Sequence, residues 1–126
     1  MQKRDAQSIQ SEITERFEYD LSMTVDDIRP NNRFNESCQI TVPQALVCAL
    51  AATSFEDAIR NAISIGGDSD TIAAIAGSIA EARFGIDESL ASTVWQKLPV
   101  EMRVVMTGLY RFPSSLSDLT ARTPLR

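Results

Sequence analysis

The chain has 126 residues, with 12 basic, 17 acidic and no histidine side chains, for a net charge of −5. That length fits at most one domain, able to bury about two-thirds of its unfolded surface, and the acidic balance without a basic, aromatic-rich tract argues against nucleic acid as a partner. No apolar run reaches the length of a membrane span and no signal-peptide core follows Met1-Gln2-Lys3-Arg4, so a cytoplasmic protein without a membrane partner is expected.

Ile9, Ile13 and Phe17 recur at i, i+4 and i+8 and predict an amphipathic packing helix over residues 6–17. Thr24 and Asp27 have capping-box spacing at the start of a short helix that Pro30 cuts off. Capping accounts for Asp26 and Asp27 better than a second metal site does, since no other ligand cluster lies beside them in sequence. Residues 31–41, with Asn31, Asn32, Arg33 and Asn35, read as a polar loop, either a solvated connection or a wall of a substrate pocket. Pro43 suits the first turn of the next helix, with Thr41 as its cap and Ala45, Leu46, Ala49 and Leu50 as its apolar face up to about Ala52. Cys38 and Cys48 have neither redox nor zinc spacing and are expected to be buried, reduced thiols. Ser54 opens a further helix with a variant capping box, and Phe55, Ala58, Ile59, Ala62 and Ile63 give it a stripe for burial.

That helix delivers the chain to Gly66-Gly67, where positive φ is cheap and a sharp turn is possible. Asp68, Ser69 and Asp70 are all good N-caps for the helix that follows, in which Ile72, Ile75, Ala76 and Ile79 recur at helical spacing. Ala73, Ala74, Ala76, Gly77, Ser78, Ala80 and Ala82 leave that helix with little bulk, so neighbours can approach its axis and a central, buried position is expected. Acidic residues at a helix start are favoured by the dipole by about 0.3–1 kcal/mol, which capping alone explains. Yet two carboxylates near 4 Å apart repel by roughly 4 kcal/mol at an effective dielectric of about 20, a conflict that a cation removes. An all-oxygen donor set suits magnesium, manganese or calcium better than zinc. An EF-hand loop starting at Asp68 fails, because Ala73 and Ile79 occupy its sixth and twelfth positions, and a phosphate-binding loop fails for want of Gly-Lys-Ser/Thr.

Gly85 marks the helix end, Asp87 can cap a segment with Leu90, Val94 and Leu98, and Pro99 starts a last helix with Met102, Val105, Met106, Leu109 and Phe112. Trp95 reads as a core residue, and the composition of residues 113–126 predicts a frayed or disordered tail. With no alternating strand pattern and no internal repeat, the expected fold is all-α, an orthogonal assembly of about six helices around residues 70–83.

Gly66-Gly67-Asp68-Ser69-Asp70-Thr71, followed by Ile72-Ala73-Ala74-Ile75-Ala76-Gly77, resembles the carboxy-terminal metal motif of the ADP-ribosylglycohydrolase family. The stretch from Ser37 to Ala45 resembles the segment opening an upstream helix of that family, and Phe55 to Ala62 its helix leading into the motif, so the likeness spans roughly residues 8–112. The resemblance implies part of that family's helical fold over residues 1–112 and a binuclear magnesium site to which Asp68, Asp70 and Thr71 contribute ligands. It also implies hydrolytic release of ADP-ribose from an ADP-ribosylated protein or small molecule. The family pattern includes an amino-terminal Thr/Ser-Asp-Asp cluster with no counterpart in this sequence. A carboxy-terminal half is therefore expected, inactive alone, binding magnesium weakly, and completed by a separate amino-terminal half or a second copy. The alternative function is a non-catalytic helical interaction module that keeps the motif as helix-capping structure.

Overall fold

The computed structural model describes residues 5–110, and every regular element among them is an α-helix, as expected. Contacts divide the chain into two units, the first ending at Ile86 and the second beginning at Asp87, and each is described by itself.

In the first unit, α1 (Ala6–Phe17) has the expected bounds, fixed by the Asp5 carboxylate accepting from the Ser8 N–H at 2.7 Å and by Glu18 in the left-handed region. Its stripe is less buried than its periodicity implies: Ile13 packs against the core, whereas Phe17 is exposed and stacks on Tyr19. The capping box of α2 (Val25–Ile28) is present, with Asp27 accepting from the Thr24 N–H at 2.9 Å and the Thr24 hydroxyl at 2.6 Å. Asp26 pairs instead with Arg29, and Val25 and Ile28 enter the core beside Leu21.

Helix α3 (Cys38–Ala51) begins earlier than Pro43 suggests, so the polar loop ends at Ser37 and Thr41 is no cap. The Ser37 carbonyl anchors the added turn by accepting from the N–H groups of Ile40 and Thr41 and from the Thr41 hydroxyl, at 3.0, 2.9 and 3.1 Å. Proline inside a helix removes the bond to the carbonyl four residues back, here that of Gln39. Gln39 is exposed, where water can satisfy that carbonyl. Of the two cysteines only Cys48 is buried; Cys38, on the first turn of α3, is exposed, contrary to expectation.

Helix α4 (Phe55–Ser64) starts at Ser54, whose hydroxyl accepts from the Asp57 N–H at 3.1 Å, while Asp57 accepts from Thr53 rather than from the cap residue. Ala58 and Ala62 are fully buried, but Ile63 is exposed, so the stripe is narrower than predicted. Helix α5 (Ser69–Phe84) packs on both α3 and α4. It buries one face, through Ile72, Ala76, Gly77 and Ala80, and leaves Asp70, Thr71, Ala74 and Ser78 exposed. Gly77 permits close approach to α4, since a Cβ there would lie 3.0 Å from the Cδ1 of Ile59. At the other end of α5, the Arg83 guanidinium donates to the Ala49 and Leu50 carbonyls that α3 leaves open.

In the second unit, the Asp87 carboxylate caps α6 (Glu88–Lys97) by accepting from the N–H groups of Ser89 and Leu90. Pro99 precedes α7 (Val100–Tyr110), and Arg103 ties the turn by donating to the Leu98 and Gln96 carbonyls at 2.8 and 2.9 Å. Trp95, expected in the core, is exposed, and no residue of α6 is buried. Phe112 and the tail expected over residues 113–126 lie outside the described residues.

Candidate metal centre

The Gly-Gly turn hangs from the core by Ile65, the last residue of the α4 turn and one of the three largest fully buried side chains among the described residues. Gly66 and Gly67 both adopt φ +70°, which lets the chain reverse between α4 and α5 within two residues. Gly67 also sits under the side chain of Asn32, so that a Cβ there would lie 2.7 Å from its Nδ2.

Asp68 is the N-cap of α5, and its carbonyl accepts the Ile72 N–H at 3.0 Å. Its side chain makes no capping hydrogen bond. The carboxyl lies within electrostatic reach of Asp70 and Thr71. The nearby Asp70 carboxyl, followed by desolvation, pushes the Asp68 carboxyl above its usual range, against the opposing effects of the Thr71 hydroxyl and N–H. The interaction with Asp68, followed by the Thr71 N–H, which donates to Asp70 at 2.9 Å, holds Asp70 below its usual range. The two neighbouring carboxyls thus titrate apart, the Asp68 carboxyl taking up a proton more readily than that of Asp70, because like charges close together do not both ionise readily. Asp68 is half-buried, and Asp70 and Thr71 are exposed, so the cluster is open to solvent.

The three residues singled out in the sequence are thus together in space. Among the described residues no group of three carboxylate, thiol or imidazole side chains converges, so the cluster consists of two carboxyls and a hydroxyl. Its chemistry fits magnesium: the donors are hard oxygens, and a cation between neighbouring carboxyls would let both ionise. Asn31, Asn32, Phe34 and Asn35 of the polar loop line a cavity of about 420 Å³ with Gln39 and Gln44 of α3, and Asp68, Asp70 and Thr71 are not among its lining residues. Asn32 was legible as a loop residue only, because its link to the Gly-Gly turn spans 34 positions.

The family model described as ADP-ribosylglycohydrolase matches residues 3–123. The chain belongs to the ADP-ribosylglycohydrolase family. The match takes in most of the sequence and exceeds the stretch on which the resemblance was read. No curated protein and no solved structure matches the chain. Membership of the ADP-ribosylglycohydrolases gives a hydrolase-like function in coarse terms. Among the described residues no helix is long and apolar enough to cross a membrane.

Proposed function

We propose that this ADP-ribosylglycohydrolase family member serves magnesium-dependent cleavage of the glycosidic bond in ADP-ribosylated proteins or small molecules in the cytoplasm. Asp68, Asp70 and Thr71 are its contribution to the metal site. The observation that supports the reading is the N-cap residue itself: the Asp68 side chain makes no full capping hydrogen bond, and its carboxyl lies near enough to Asp70 and Thr71 for the two carboxyls to shift each other's ionisation.

Each residue has a separate task. Asp68 and Asp70 bring two negative charges, enough to balance one divalent ion, and the Thr71 hydroxyl brings a neutral oxygen. Magnesium, when bound, polarises the sugar oxygens and lowers the pKa of water. In the overall reaction a water oxygen bonds to the anomeric carbon and the bond from that carbon to the acceptor breaks. The acceptor leaves with the electron pair and takes up a proton.

Three ligands from one turn leave the rest of a near-octahedral shell to water and to groups from elsewhere. We therefore propose that this chain alone holds magnesium weakly and does not turn over. A separate amino-terminal half or a second copy would supply the remaining ligands, including those of a second ion. Calorimetric titration with magnesium and ADP-ribose tests this. The wild type is expected to give a weak isotherm that Asp70→Asn abolishes, and a flat wild-type titration would sink the metal reading. Hydrolysis by the purified chain in millimolar magnesium, lost in Asp70→Asn, would refute the claim of inactivity.

A further inference from the structure

Two consecutive glycines at φ +70° make the backbone before Asp68 easy to reorient, since glycine loses more conformational freedom on folding than any other residue. A rotation of the Gly66–Gly67 peptide would swing Asp68 away from Asp70 and Thr71, which ride on the rigid first turn of α5. Something must hold that peptide. The Asn32 side chain lies against it and uses both ends of its amide. Nδ2 donates to the Gly66 carbonyl at 3.2 Å, and Oδ1 accepts from the Gln44 Nε2 at 2.9 Å.

The direction of this relay is fixed by chemistry. A carbonyl only accepts, so the Asn32 atom facing Gly66 is its NH2 group, which leaves the oxygen for Gln44. Gln44 stands on α3 next to Ala45, which has no exposed surface, so the relay is rooted in the core. Gly67 completes it from the other side: any Cβ there would push Asn32 off the turn.

We infer that Asn32, braced by Gln44, is a positioning residue that holds the Gly66–Gly67 peptide so that Asp68 meets Asp70 and Thr71 around a divalent ion. This rests on the metal reading proposed above. The hydrogen bonds of the Asn32 side chain go to the Gly66 carbonyl and to Gln44 rather than to the three proposed ligands, so it acts through the backbone of the turn. Groups behind the ligands of metal sites typically change affinity by about 10–100-fold when removed, and a loss of that size is expected here.

The test is Mn²⁺ binding to the full chain, followed by the electron paramagnetic resonance signal of the free ion, with helicity recorded by circular dichroism. Asn32→Leu keeps the number and branching of side-chain heavy atoms and removes both hydrogen bonds, and Gln44→Leu removes the brace alone. A tenfold or greater loss of affinity in folded Asn32→Leu, with a smaller loss in Gln44→Leu, is expected. A folded Asn32→Leu variant that loses less than tenfold overturns the inference and leaves the metal reading standing. Wild type that binds no Mn²⁺ overturns both. Should the variants fail to fold, ¹⁵N-labelled wild type titrated with magnesium decides. The Asn32 side-chain NH2 resonances are expected to shift together with the Gly67 and Asp68 amides, and an unmoved Asn32 beside a shifting Asp68 refutes the relay.

Discussion

The two thiols show how burial sets reactivity residue by residue. Cys48 has no exposed surface, and desolvation pushes its pKa up to about 11 from 9.0, against the opposing charge of Arg29. A raised pKa in the folded state favours the protonated thiol, so its contribution to stability is complete below pH 9.0 and is lost as the pH climbs through about 11. The thiolate is the nucleophile, and Cys48 has neither a thiolate at neutral pH nor access. Cys38 is exposed and free. Ellman's reagent at pH 8 is therefore expected to titrate one thiol at once and the second only on unfolding. Cys38→Ser should remove the fast phase, and a fast phase that survives it would contradict the assignment. The two residues were indistinguishable in the sequence because both precede or enter an apolar stretch, and only the helix start at Ser37 decides that Cys38 falls on an outer turn. Asp68, Asp70 and Thr71 were legible because they are neighbours in the chain. Asn32 was not, because a side-chain contact across 34 positions leaves no local pattern.

Among the elements, α5 carries the candidate site and packs on both α3 and α4. Its small residues allow α3 and α4 to close on it, and at Gly77 there is too little room for even a Cβ without crowding Ile59 of α4. A leucine at position 77 would gain helix propensity but would have to displace Ile59 and the α4 backbone behind it. Overpacking of this kind typically costs about 1–3 kcal/mol. Gly77→Leu is therefore expected to lower stability by that amount in urea unfolding, and to weaken magnesium binding by moving α5 relative to the Gly-Gly turn. An unchanged midpoint would show that the helices have room to spare. The periodicity of α1, α4 and α5 announced these helices with their bounds nearly right, because apolar spacing is a local signal. The start of α3 was missed because Pro43, a common first-turn residue, here sits a turn and a half inside, after an opening turn anchored on the Ser37 carbonyl.

At the scale of the molecule, the balance between helix faces and available cover decides what the chain does in solution. The all-α class followed from the absence of strand patterning, but which apolar faces find a neighbour did not, because that depends on tertiary packing rather than on spacing. Within the second unit, α7 exposes Val100, Val104, Val105 and Leu109, each 61 to 71 % accessible. Exposed apolar side chains that gather into a large patch are uncommon on monomers and favour association. Self-association is the expected consequence for the purified chain, with the weight-average mass in sedimentation equilibrium rising as concentration increases. Val104→Glu combined with Val105→Glu places charge on that face and should return the protein toward monomer without reducing magnesium binding at Asp68 and Asp70, which belong to the first unit. If magnesium binding and self-association fell together in that double variant, the second copy would be contributing to the metal site. A chain that stayed monomeric at high concentration would instead leave a separate amino-terminal half as the proposed source of the missing ligands.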